Sequence, residues 1–298
     1  MNNRITWLNE RKKGIGGSDV AALFGLSPWK TPFALYQEKR GEALDMPDNP
    51  AMGWGRALEP VIRQHYANIT NRAVHIVDKI LFHPQHAFML ANVDGLTDDK
   101  RVVEIKTSRT AQGWGEAGTD EIPHPYLLQV QHYMAVTGFK VADVAVLIGG
   151  SDFRIYEIVA DQELQAMMIE AEEQFWQKVA TACPPEPINY ADMVAKFGQK
   201  CDGTRISATA ELLDAVANLK KLKEEAKALS QAEDMQKAIV MKAMGEATTL
   251  AFEEDVLVTW KLSKPTHRFD ATAFKEKHPA LYEEFLKASE PMRRFLVK

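Results

Sequence analysis

The stretch Asn92–Lys106, NVDGLTDDKRVVEIK, limits most tightly what this chain can fold into. Asp94-Gly95 is a turn signal, Thr97-Asp98-Asp99-Lys100 a polar tip, and Val102-Val103-Glu104-Ile105-Lys106 a run rich in β-branched residues. That order predicts a β-hairpin or a bent strand pair. Alternate residues of a strand share a face, so Glu104 and Lys106 point one way and Val103 and Ile105 the other. The apolar face is expected in a core. The polar face carries a carboxylate beside an ammonium, and Asp94 can return to them across the turn. Two carboxylates converging on a lysine suit a hard cation with room for a phosphate, as metal-assisted phosphodiester hydrolysis requires. The same residues also suit a surface hairpin whose charges only keep a sheet edge soluble.

A Glu-x-Lys pair is not specific by itself, since Glu10/Lys12 and Glu225/Lys227 repeat it. Those copies lie in charge-rich, helix-like surroundings and read as solvated faces. Only Glu104 sits on an apolar strand with Asp-Gly ten residues ahead.

The 298 residues suffice for one large domain, or a domain with an appendage, and 46% hydrophobic content can fill a core. A net charge of −5 gives no global sign of nucleic-acid binding, so a polyanion would have to meet a local basic patch. The first forty residues supply one, with seven Lys/Arg against three acids. Cys183 and Cys201 cannot make a four-thiolate cluster and suggest no disulfide framework. The N-terminus is polar and no apolar run is long enough to span a bilayer, which predicts a soluble, cytoplasmic protein.

In chain order, residues 3–13 read as a short helix ending in bases. Gly14-Ile15-Gly16-Gly17-Ser18-Asp19 then opens an apolar helical run with capping chemistry. Such a start fits ordinary capping or the holding of an anion. Phe33–Arg40 reads as a helix and residues 41–52 as a loop. Gly53–Pro60 leads into a helix at Val61–Tyr66, where Glu59 is either a dipole-compensating acid or a third acid at the site. Strands are expected at 73–77, 80–83 and 89–93. Leu127–Val136 reads as a helix carrying Gln129 and Gln131 among apolar residues, where an unpartnered amide is costly. Strands 141–148 and 152–159 and a helix over 161–181 follow. This order predicts an α/β domain with a mixed central sheet flanked by helices.

Cys183-Pro184-Pro185-Glu186-Pro187 is a breaker cluster, so residues 1–182 are expected as one domain and 183–204 as a linker. Residues 205–298 are expected as an accessory region: a long helix or helical pair over 207–246 with an apolar stripe from Leu212 to Ile239, a hairpin of 248–252 with 256–262, a helical segment 270–287 and a closing strand 294–298. The stripe reads as a packing or coiled-coil seam.

Several stretches then fall into one pattern: Arg11 with Gly16-Gly17-Ser18-Asp19, Gly55-Arg56-Ala57-Leu58-Glu59, Val93-Asp94-Gly95, Glu104-Ile105-Lys106 and Gln129-Val130-Gln131-His132-Tyr133-Met134. Over about residues 5–180 the chain resembles the YqaJ-type, phage lambda exonuclease-like viral recombinases of the PD-(D/E)xK nuclease superfamily. Val93 stands where that family places its proline.

The resemblance implies a metal-dependent 5′→3′ exonuclease that resects double-stranded DNA ends and leaves 3′ single strands for an annealing protein. It implies Asp94, Glu104 and the backbone carbonyl of Ile105 as ligands of Mg²⁺, with Mn²⁺ as a substitute. Glu59 would serve a second ion or act through water. Lys106 would position or activate the attacking water and stabilise charge on the phosphorane-like transition state, Gln129 would fix the lysine or the water, and Arg11 and Ser18 would receive the DNA 5′-phosphate. It further implies a trimeric ring and a phage or prophage protein in the host cytoplasm. An endonuclease of the same superfamily and a non-catalytic DNA-end-binding scaffold are the alternatives.

Overall fold

The computed structural model describes residues 9–43, 49–289 and 291–298. Of the helix expected over residues 3–13, residues 9–11 are helical and the first six lie outside the described residues, as do residues 44–48 of the expected loop. Two compact units divide the chain at Val194/Ala195.

The first unit begins with β1 (Ile15–Gly16), α1 (Gly17–Leu23), α2 (Pro32–Lys39) and α3 (Pro50–Thr70). Short strands β2 (Val74–His75), β3 (Leu81–Phe82), β4 (Met89–Ala91) and β5 (Gly95–Thr97) precede the long β6 (Arg101–Ser108). Then come α4 (His124–Thr137), β7 (Val141–Ile148), β8 (Asp152–Val159) and α5 (Gln162–Ala180), and the division between the units falls within α6 (Tyr190–Phe197). The expected mixed sheet is present, in the order β2-β5-β6-β7-β8. Only β6 and β7 run parallel, paired from Arg101↔Val141 to Ser108↔Ile148, with α4 as their crossover.

Both faces of this sheet are covered. Val103, Ile105 and Ala145 pack under Ile62 and Tyr66 of α3. Val102, Val144 and Val146 pack with Val130 and Met134 of α4. Glu104 therefore does not face solvent: strand alternation sets it beside Val102 on the α4 side, where it is 2% exposed. A third cluster joins Val20 of α1, Leu35 and Tyr36 of α2, and Met168 and Phe175 of α5. The buried His132 of α4 bonds Leu90 O of β4 and Glu172 Oε1 of α5, each at 2.9 Å, tying three elements together.

Three local readings are corrected here. α3 starts eleven residues before Val61, because Asn49 Oδ1 accepts from Met52 N and Pro50 suits the first helical turn; Pro60 is carried inside the helix. β1, not expected at all, is two residues of backbone running parallel to β4 through Ile15↔Met89. The stretch read as a linker contains α6, whose Asp192 is buried.

The second unit holds α7 (Ala210–Met244), the antiparallel pair β9 (Thr249–Phe252) and β10 (Asp255–Thr259), α8 (Ala271–Lys277) and α9 (Pro279–Glu284). The helical segment expected over 270–287 is broken at His278-Pro279, where proline starts a new helix. The expected closing strand 294–298 has no strand structure.

Candidate active site

The ladder between β5 and β6 ends at Gly95↔Val103. Beyond it, the edge of β6 that faced β5 has no strand beside it among the described residues. A residue's N–H and C=O leave a strand on the same side, so both main-chain groups of Ile105 point from this open edge. Its N–H donates to Asp94 Oδ2 at 2.7 Å. The β4–β5 bend thus brings Asp94 alongside the end of the motif strand, and the carbonyl of Ile105 leaves the same edge.

Around the strand, Glu104, Lys106 and Gln129 form one hydrogen-bonded set. Lys106 Nζ donates to Glu104 Oε1 at 2.5 Å and to Gln129 Oε1 at 3.1 Å. Gln129 Nε2 donates to Glu104 Oε1 at 2.7 Å and lies 3.0 Å from Tyr133 Oη. The amide of Gln129 is therefore satisfied, which accounts for a polar side chain on an otherwise apolar helix face. The ring of Tyr126 lies 4.8 Å from Lys106 Nζ.

The other carboxyl oxygen, Glu104 Oε2, is buried and has no hydrogen-bond partner among the described residues. Burial first, then the charge of Asp94, pushes the Glu104 carboxyl up to about 8. Asp94 is raised as well, by burial, against the pull of Lys106. Burial works against the charged form of Lys106, but Glu104 and Asp94 prevail and raise it. Crowded carboxyls short of positive charge, with one oxygen unsatisfied, are the electrostatics of a cation site. Among the described residues no three His, Cys, Asp or Glu side chains are grouped closely enough to hold a metal ion. Two carboxylates and a carbonyl still fit Mg²⁺, which keeps several waters and rarely uses an all-protein cage.

Glu59 stands apart from this set in one respect. Its carboxylate is held by Arg63 one turn along α3. Burial first, then Asp94, raises its pKa, so it lies within the field of the site without bonding to it.

Arg11 and Ser18 meet directly: Arg11 Nη2 donates to Ser18 Oγ at 2.8 Å, and Ser18 is exposed. Ser18 does not cap α1. Asp19 does so, accepting from Gly16 N at 3.0 Å, while Lys39 Nζ reaches the same oxygen at 2.6 Å and Arg11 O at 3.0 Å. Asp19 is 1% exposed, yet Lys39, Arg11 and Lys30 overcome its desolvation and lower its pKa. Behind the exposed Arg11–Ser18 pair, then, one buried acid faces several cations, an arrangement left short of negative charge.

Arg63, Tyr126, Tyr133, Asp19 and Lys39 were not singled out as site residues from the sequence. Two had a usable signal: Arg63 and Tyr133 lie four residues after Glu59 and Gln129, where helical neighbours meet. Asp19 and Lys39 are twenty residues apart and only the packing of α1 on α2 joins them.

The sheet, its flanking helices and the acid–lysine–glutamine cluster at its open edge define a protein of the nuclease fold. A model described as a YqaJ-like viral recombinase domain matches residues 6–140. The protein YqaJ of Bacillus subtilis (strain 168) is 33% identical over 306 residues, covering 99% of this chain and 94% of the relative. The chain belongs to the YqaJ-like viral recombinase family. An alkaline exonuclease from Laribacter hongkongensis has the same fold, with a TM-score of 0.50 at 22% identity over 60% of this chain and 93% of the other; it has also been solved with dAMP. Among the described residues no helix is long and apolar enough to cross a membrane.

Proposed function

We propose that the first unit is a metal-dependent exonuclease that degrades double-stranded DNA from its ends in the 5′→3′ direction. The observation that carries this reading is Glu104 Oε2, a buried and unsatisfied carboxyl oxygen beside Asp94 and Lys106. In this reading Asp94, Glu104 and the Ile105 carbonyl hold Mg²⁺ or Mn²⁺, and Glu59 serves a second ion. The ion supplies Lewis acidity at the scissile phosphate and lowers the pKa of water. Lys106, fixed by Glu104 and Gln129, stays protonated and stabilises the negative charge that builds on the phosphate in the transition state. Gln129 holds that lysine in place from α4, with Tyr133 bracing the amide. Arg11 and Ser18 receive the terminal 5′-phosphate through a charge-assisted contact, which sets polarity. The product, a 3′ single strand, goes to an annealing protein, and three copies form a ring around the duplex.

The test uses linear 5′-phosphorylated duplex, linear 5′-hydroxyl duplex and covalently closed circular duplex in Mg²⁺. Nucleotides released from the first, more slowly from the second and not from the third support the reading. Cleavage of the circle assigns an endonuclease instead. Binding of ends without release, or near-normal release by Asp94→Ala or Glu104→Ala, overturns the catalytic assignment.

A further inference from the structure

α7 leaves its apolar stripe in the open. Leu222, Leu229, Met235 and Ile239 are 60%, 73%, 66% and 62% exposed, so they are not part of a core of the second unit. The helix has 35 residues, which makes it about 50 Å long. From Leu212 through Val216, Leu219, Leu222 and Ala226 to Leu229 the apolar steps are 4, 3, 3, 4 and 3. A mean step below 3.6 makes the stripe drift around a straight helix and fits a left-handed supercoil with another helix.

The charges on α7 say which helix. Outside a mixed central stretch of Glu224, Glu225 and Lys227, they alternate in blocks: acids Glu211 and Asp214, bases Lys220, Lys221 and Lys223, acids Glu233 and Asp234, and bases Lys237 and Lys242. A second α7 running the same way in register would set every block against its own sign. A second α7 running the opposite way, about a two-fold axis near Lys227, sets Lys220 and Lys221 against Asp234 and Glu233. The same operation sets Glu211 and Asp214 against the turn between Lys237 and Lys242. It also brings Leu219 opposite Met235, and Val216 within one residue of Ile239. Pairs within the helix, such as Lys237 Nζ with Glu233 Oε1 at 2.7 Å, use part of this charge but only weakly.

We propose that α7 is a self-association element that takes the α7 of a second copy in antiparallel fashion, burying the stripe between them. This contact is separate from the ring proposed above and does not depend on nuclease activity. It joins two copies, or two rings if the ring forms, so breaking it halves the mass in either case.

Two measurements on the full-length chain test it. In sedimentation velocity, Lys220→Glu/Lys221→Glu should halve the mass by weakening association about tenfold or more. Adding Glu233→Lys/Asp234→Lys to the same chain should restore it. In a Cys183→Ser/Cys201→Ser background, Ala226→Cys, on the stripe and close to the axis, should cross-link to its own copy on mild oxidation. Ala210→Cys should not, because its mate lies a helix length away. A mass unchanged by the first reversal assigns the stripe to another partner and overturns the proposal. Efficient self-linking at Ala210→Cys overturns the antiparallel arrangement.

Discussion

Gly17 packs against Tyr133 with no room for a side chain: a Cβ on the glycine would lie 2.5 Å from Cε1 of the ring and 2.9 Å from Gln129 O. This approach holds α1, with Ser18 and Arg11, against the part of α4 that carries Gln129. Two regions far apart in sequence, one read for phosphate and one for metal chemistry, are thereby adjacent. Tyr133 marks the junction, since its pKa is raised by burial and then by Glu104 and Asp94, while Arg11 opposes them.

Gly17→Ala is therefore expected to force α1 away from α4, at a cost of about 1–3 kcal/mol in stability. Its preference for 5′-phosphorylated over 5′-hydroxyl ends should narrow while its affinity for Mg²⁺ stays as it was. Urea unfolding and paired digestion rates check both. An unchanged preference would mean that the contact sets packing alone.

Glu104 predicts how metal, pH and stability are linked. Its carboxyl is raised from an ordinary 4.5 to about 8, so between those values the native state binds more protons than the unfolded chain. Metal-free protein should accordingly lose stability as pH rises through this window. A bound divalent cation should reverse the trend and displace protons as it binds. Glu104→Gln should flatten the pH dependence without metal and abolish cleavage with it. Titration calorimetry in two buffers of different ionisation enthalpy measures the protons released. No release near pH 7 would mean that Glu104 is not a ligand.

Much of this site can be read from the chain, for identifiable reasons. Glu104 and Lys106 share a face because a strand has period two, and Asp94 approaches because a turn signal precedes the strand. The apolar run from Val141 to Ile148 reads as a strand, and it is the parallel neighbour of β6. Where the reading failed, longer-range packing decided the outcome. Glu104 was expected on a polar face, yet α4 covers it, because a sheet with a parallel centre is buried on both sides. β1 exists only because Ile15 finds Met89, a partner more than seventy residues away. Pro60 obscured α3, since a proline reads locally as a boundary even where the surrounding packing carries it.

Lys39 and Asp19 form a buried pair at 2.6 Å, with side chains 0% and 1% exposed. Removing Lys39 leaves Asp19 only the longer contacts to Arg11 and Lys30, at 3.7 and 3.8 Å, so Lys39→Met should cost about 1.5–3 kcal/mol, the cost of losing a charge-assisted hydrogen bond. Asp19 has a lowered pKa, so its contribution is present above the ordinary 3.8 and disappears as pH falls below it. Asp19→Asn should flatten that acid limb, and the double variant should be more stable than Lys39→Met alone. Denaturant titrations from pH 3 to 7 measure all three. A small, pH-independent loss in Lys39→Met would show that the pair contributes little.

The end of the first unit can be located by truncation. Asp192 of α6 is buried, accepts from Thr31 Oγ1 at 2.8 Å and from Ile188 N at 3.0 Å, and donates its own N–H to Asn189 Oδ1 at 2.9 Å. Thr31 Oγ1 in turn caps α2 by accepting from Ala34 N, and α2 carries Lys39 to Asp19. A chain ended after residue 182 loses the Asp192 contact and leaves the cap of α2 unsupported. One ended after Gly198 keeps α6 whole. The shorter chain is expected to be less stable by about 1–3 kcal/mol, the range for a hydrogen bond to a charged group. Both should bind Mg²⁺, because Asp94, Glu104 and Lys106 lie on β6 and the bend before it. The shorter chain should also show the weaker preference for 5′-phosphate, since the disturbance passes through α2 to the Arg11–Ser18 pair. Equal melting temperatures for the two chains would mean that α6 adds nothing to the first unit. Loss of Mg²⁺ binding in both would mean that the metal site needs residues beyond Gly198.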